Sequence, residues 1–183
     1  MELSNAWCRL IVMSAMEKVE ALKKEGIDLL DDYPEDLPVE LLNWIRKGYR
    51  TTLKEYLDDH ILRSVVYDAV QSVLNDFNYI ISPTLCCNPV KNDPNKNTVG
   101  PETINGEPVE RLIGWCMTYF TNFTGHPSAS VPAGVTDTGL PVGLQITGRR
   151  FDDIGVLRAC RQFEIARPWK EIYKIPMNRR LDF

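Results

Sequence analysis

The chain has 183 residues, 44% of them hydrophobic and 25% charged, the composition of a soluble globular protein rather than a disordered or fibrous one. Its 21 Lys and Arg against 25 Asp and Glu give a net charge of −4. Without a basic stripe to meet phosphates, the chain is a poor candidate for binding nucleic acid, and none is expected as a partner. No apolar run reaches the ~18–20 residues of a membrane span, and the N-terminus lacks a signal peptide's charged-then-apolar order. The reading is of a cytoplasmic protein away from membranes.

Residues 1–25 read as a helix, with Trp7, Leu10, Ile11, Ala15, Val19 and Leu22 near 3–4 spacing and Gly26 as its stop. An acidic, Pro-bearing stretch follows over 28–38. A short helix carries Leu41, Leu42, Trp44 and Ile45 and ends near Gly48. The longest helical pattern runs from about Thr52 to Phe77, with Thr52 and Glu55 spaced for a capping box. Its apolar face includes Leu53, Leu57, Ile61, Val65, Val66, Val70, Leu74 and Phe77, and needs a large surface to pack on.

Tyr79, Ile80 and Ile81 form a β-prone run before Pro83, apolar on both faces as in a buried α/β strand. Residues 84–107, rich in Asn, Asp, Pro and Gly, read as one long loop. The pattern predicts a helix over Val109–Phe120, strands over 128–133 and 141–147, and a helix over 153–166 closed by Pro168. A basic tail follows. The chain thus divides into a helical part (1–77), a strand and long loop (78–108), a core motif (109–169) and the tail (170–183). Three short strands are too few for these helices, so the rest of the sheet is expected elsewhere.

Chemistry is sparse on direct reading. None of the serines lies in GxSxG or in a Gly-rich strand-to-helix turn. Ser128 and Ser130 alternate along a strand and are expected to share one face and bond locally. His126, between Gly125 and Pro127, reads as a turn histidine without a catalytic role, and His60 lies mid-helix. The cysteines Cys8, Cys86, Cys87, Cys116 and Cys160 are odd in number, scattered and without CxxC, which argues against a disulfide framework and a zinc site. Cys86 and Cys87 read as inert thiols. No metal and no cofactor is expected, and no catalytic residue is assigned within the chain.

The segment 122–169 changes this picture. Asn122, Gly125, Pro127, Ser130, Val131, Pro132 and Gly134 are followed by Gly139, Leu140, Pro141, Gly143, Leu144 and Gln145, and then by Glu164, Pro168 and Trp169. This order resembles the C-terminal segment of amidase signature enzymes. Upstream, Arg63, Phe77 and Tyr79 through Pro83 and Thr84 resemble the same family's helix, strand and Pro-Thr turn. The residues also have a physical reading of their own. Gly134, Gly139 and Gly143 suit tight turns and close strand approach, and Gln145 needs partners if buried.

The resemblance implies an α/β fold. The chain would be part of an α/β/α amidase-signature domain with a mixed central sheet, completed by a missing N-terminal portion. It implies amide hydrolysis by a Ser–cis-Ser–Lys triad on that portion, which is the expected partner, with a small-molecule amide as substrate. The complete enzyme could be a homodimer, and the chain a processed subunit or one member of a heteromer. Arg63 matches an Arg that helps hold the substrate carboxylate in glutamine-using members. Where those members carry an acidic residue, seven positions before Asn122, this chain has Trp115. That departure argues against glutamine and for an apolar or aromatic group. Thr84 and Asn122 complete the substrate-binding candidates. Two alternatives stand beside the amidase: a glutaminase subunit of a tRNA-dependent amidotransferase, and a non-catalytic amidase-like interaction module.

Overall fold

Thr52 opens the longest helix with a reciprocal cap. Its hydroxyl accepts from the Glu55 N–H at 3.2 Å, and the Glu55 carboxylate accepts from the Thr52 N–H at 2.8 Å. This computed structural model describes residues 2–94 and 98–169. The predicted tail over 170–183 lies outside the described residues. The helices are α1 (Glu2–Lys24), α2 (Val39–Gly48), α3 (Leu53–Asp76), α4 (Tyr119–Thr124) and α5 (Asp153–Ala166). The strands are β1 (Tyr79–Pro83), β2 (Thr103–Ile104), β3 (Glu107–Pro108), β4 (Ser128–Val135) and β5 (Pro141–Gly148).

α1 and α2 pack around Cys8, Val12, Val19, Trp44 and Ile45, with Leu29, Leu30, Leu112 and Ile113 closing the cluster. Each such buried side chain stabilises the fold by roughly 1.5–3 kcal/mol. The buried seam of α1 includes Ser4, Cys8, Val12 and Val19, while Ile11 is exposed, so the seam is rotated about one residue from the predicted face. α1 is tied to α3 by a bidentate ion pair, in which the Arg9 guanidinium donates to both Asp59 carboxylate oxygens at 2.6 and 2.7 Å.

The main sheet has the order β1-β5-β4, and both pairings are antiparallel. β5 is therefore central, and Ile146 and Thr147 are buried. α5 covers one face: Gly148 approaches Val156, and the Tyr79 hydroxyl donates to the Gly155 carbonyl. Pro141 opens β5 and Pro132 lies on the outer strand beside a bulge, so neither interrupts the central ladder. Gln145, fully buried, donates its side-chain N–H to the Met117 carbonyl at 2.9 Å. The partner that its position demands is thus a backbone group.

Three expectations are corrected. β1 was expected to be buried on both faces, but it is an edge strand among the described residues and Ile81 is exposed. The segment 84–107 is not one loop, because Asn105 and Gly106 both take positive φ and turn β2 onto β3 as a hairpin. Val109–Phe120 does not form a helix. The Glu110 carboxylate accepts the Leu112 and Ile113 N–H groups, the Trp115 carbonyl accepts from the Cys86 N–H, and the Met117 N–H reaches the Thr84 carbonyl. These partners take the backbone groups that a helix would need. Helix resumes at Tyr119 and stops at Gly125, which adopts the left-handed conformation at φ 69°.

Apolar surface remains uncovered. Leu53, Leu57, Ile61 and Val65 follow one another at four-residue spacing along α3 and are exposed, as are Ile154, Leu157 and Ile165 on α5. The excess of helical apolar face over strand, expected from the sequence, is therefore present among the described residues.

Candidate functional site

Two of the four substrate-binding candidates, Trp115 and Asn122, belong to residues 115–123, and the other two, Thr84 and Arg63, bond to the backbone of that strip. Thr84 follows β1 and is held on two sides. Its N–H donates to the Gly143 carbonyl and its carbonyl accepts from the Met117 N–H, each at 3.0 Å. One residue further, Leu85 bridges to Cys116, so Thr84 and Trp115 share one short antiparallel zip. At the other end of the strip, the Arg63 guanidinium donates to the Phe123 carbonyl at 2.5 Å. That contact ties α3 to α4, on which the Asn122 amide donates to the Thr118 carbonyl at 3.3 Å.

Trp115 is half-buried, and its indole N–H donates to the Arg111 carbonyl at 3.0 Å. Its ring lies so close over Gly100 that a Cβ there would collide with it. Gly100 is thus the residue that lets the indole lie flat against the loop. Arg63 and Asn122 are exposed.

Two hollows flank the strip. A groove of about 420 Å³ runs between α3 and the strip, lined by Val65, Val66, Ala69, Val70, Met117 and Phe120 among others. Its walls are almost wholly apolar, the surface that an aryl or alkyl group prefers. A second hollow of about 320 Å³, beyond Thr84, is lined by Leu85, Cys86, Cys87, Pro141, Val142 and Gly143. At its edge the Thr84 and Ser130 hydroxyls meet at 2.6 Å. The other alternating serine, Ser128, bonds the Thr147 hydroxyl at 2.8 Å. The two serines share one face of β4, as their alternation predicts, but they bond residues distant in sequence rather than locally as expected.

Burial pushes the Cys86, Cys87 and Cys116 thiols up, so they stay protonated and poorly nucleophilic. Among the described residues, no group of three or more His, Cys, Asp and Glu side chains could hold a metal ion, and no helix is long and apolar enough to cross a membrane.

His126 differs from the turn histidine expected. It is 4% exposed, its ring lies 5.4 Å from that of Tyr67, and its Nε2 is 3.4 Å from the Gln71 side-chain oxygen. Burial, aided by nearby Arg150, holds its pKa below the ordinary histidine value. Tyr67 and Gln71 stand four residues apart on α3, a spacing visible in the sequence. What the sequence does not show is that the Gly125 turn lays His126 against them.

Comparison with known proteins places these features. Residues 15–157 match the family described as Amidase. A bacterial aryl acylamidase of the amidase signature family, known as a solved structure, is 46% identical, with a TM-score of 0.93 over 98% of this chain and 36% of its own. An acylamidase of Rhodococcus erythropolis is 36% identical over 112 residues, 60% of this chain. A glutamyl-tRNA(Gln) amidotransferase subunit of Thermodesulfovibrio yellowstonii is 29% identical over 168 residues, 82% of this chain. The chain spans 22% and 31% of the lengths of these two curated relatives.

Proposed function

Because the chain belongs to the amidase signature family, we propose that it is the C-terminal portion of an amide hydrolase that acts on amides bearing an aryl or apolar group. The observation that carries this reading is the 46% identity and 0.93 TM-score to a bacterial aryl acylamidase. The apolar groove beside α3 and the placement of Trp115 support the same substrate class.

The reaction follows from the family's chemistry. A serine on the N-terminal portion, in a Ser–cis-Ser–Lys triad, attacks the amide carbonyl carbon. Backbone N–H groups hold the oxyanion, the C–N bond breaks and the amine leaves with a proton. Water then attacks the acyl-enzyme and releases the acid. This chain's share is a substrate wall, made of Arg63, Thr84, Trp115 and Asn122 with the apolar groove. Its exposed apolar faces on α3 and α5 pack against the N-terminal portion. A homodimer of the complete enzyme and a cytoplasmic location fit this reading.

The test is to purify the chain together with its N-terminal portion and assay anilides, alkyl amides and glutamine side by side. Anilide hydrolysis that disappears with the triad serine is expected. Activity on glutamine alone would favour the second reading, the glutaminase subunit of a tRNA-dependent amidotransferase, which the 29% identity over 168 residues supports. Assembly without hydrolysis of any amide would favour a non-catalytic module.

A further inference from the structure

We propose that Cys86 and Cys87 form a two-thiol binding site for a trivalent arsenical, a soft electrophile that bridges both sulfurs. The two residues line the hollow of about 320 Å³ beyond Thr84, together with Leu85, Asn88, Pro141 and Val142 among others.

The backbone brings both cysteines to one opening. Leu85 bridges to Cys116, and the Cys86 N–H donates to the Trp115 carbonyl at 2.8 Å. In a continuing strand, successive side chains would point to opposite faces. The chain bends over residues 86–88 instead, and Cys86 and Cys87 line the same hollow. Cys86 is exposed, Cys87 is half-buried, and both are free thiols. The other cysteines stand apart from this opening. Cys116 lies across the zip, Cys8 is buried against Glu110, and Cys160 lines a different hollow on α5.

The donor set selects the ligand. Sulfur donors favour soft ions. A structural zinc asks for four donors, and no group of three or more His, Cys, Asp and Glu among the described residues could hold a metal ion. The pair therefore acts without Cys116. An aryl arsenoxide asks for only two thiols, because the third bond of its arsenic is to carbon. The exchange needs no oxidant. Two As–S bonds form, the bond between arsenic and oxygen breaks, and the two thiol protons leave with that oxygen as water, while arsenic stays trivalent. Burial keeps the Cys86 and Cys87 thiols protonated, and those protons are the ones the water carries away. Once the first As–S bond is made, the second thiol attacks within the same molecule, so the bridge outlasts a bond to a single thiol. Pro141 and Val142 offer an apolar wall for the aryl group.

This site does not rest on the hydrolase reading, and its test needs no turnover. The chain, purified together with its N-terminal portion, is treated with phenylarsine oxide, washed with a monothiol or a dithiol, and mapped by peptide mass. One phenylarsenic bridge is expected on the peptide that carries Cys86 and Cys87. It should survive excess mercaptoethanol and be removed by dithiothreitol. Cys86→Ser and Cys87→Ser should each lower retention through the monothiol wash by about tenfold or more, while Cys116→Ser and Cys160→Ser retain the bridge. No adduct on that peptide, an adduct stripped by the monothiol, or retention unchanged in both the Cys86 and Cys87 variants would overturn the proposal. Loss of the bridge in Cys116→Ser would overturn the assignment to this pair.

Discussion

Thr84 and Ser130, 46 residues apart, meet hydroxyl to hydroxyl at 2.6 Å above the bare Cα of Gly143. A Cβ on Gly143 would lie 2.6 Å from the Ser130 oxygen and 2.7 Å from the Thr84 oxygen. The glycine is therefore what permits the pair, and with it the position of Thr84 at the edge of the candidate site. Gly143→Ala should split the hydroxyls and destabilise the fold by about 1–3 kcal/mol. Ser130→Ala alone should cost about 1 kcal/mol. Because both changes act on one contact, the double variant should lose less than the sum, as urea unfolding of the four proteins would show. Additive losses would mean that Gly143 and Ser130 act independently.

The Arg9–Asp59 pair makes an asymmetric prediction. The Asp59 side chain is 4% exposed, and that of Arg9 is 21% exposed. Arg9→Met leaves a buried carboxylate without its cation and should cost about 3–5 kcal/mol at neutral pH. Asp59→Asn leaves a guanidinium that can still reach water and should cost less. Unfolding free energies of both variants at neutral pH check the ranking.

Glu110 joins three parts of the chain. Its carboxylate accepts from the Trp44 indole N–H at 3.0 Å and from the Leu112 and Ile113 N–H groups at 2.7 and 3.1 Å. Glu110→Ala removes the acceptor for these three donors and for the Cys8 thiol at 3.6 Å, and the expected loss is about 2–3 kcal/mol. The Trp44 indole resonance in a ¹⁵N-correlated spectrum should move most among the four tryptophans. An unchanged Trp44 signal would contradict the contact.

Glu110 also marks the boundary of what was legible. The capping box at Thr52 and Glu55 and the strands at Ser128–Val135 and Pro141–Gly148 depend on local chemistry, and they could be read directly. The Asn105–Gly106 hairpin was legible by the same local rules, but it was hidden in a stretch read as one loop. Residues 109–120 were different. Their apolar spacing fits a helix, yet Thr84 and Cys86 claim their backbone groups from more than 25 positions away. The candidate site follows the same division. The family resemblance pointed to Arg63, Thr84, Trp115 and Asn122, and in the structure Thr84 and Arg63 bond to the backbone of the segment that holds the other two. The Thr84–Ser130 pair and the buried His126 exist only once β1, β4 and α3 have come together.

His126 supplies the last prediction, a pH dependence with a definite sign. Burial, reinforced by the charge of Arg150, holds the folded-state pKa below the ordinary value of 6.5. In the unfolded chain the imidazole takes a proton near that ordinary value. As the pH falls below about 6.5 the unfolded state therefore binds the proton first, and the equilibrium moves toward it. The contribution of neutral His126 is complete above that pH and is lost on descent toward the folded-state pKa. Denaturant midpoints measured at pH 7.5, 6.5 and 5.5 should fall in that order, and His126→Phe should show a shallower fall. Arg150→Ala removes the smaller of the two causes, so the NMR titration of His126 should move up without reaching the ordinary value. A full return to 6.5 in that variant would mean that charge, rather than burial, holds this imidazole neutral.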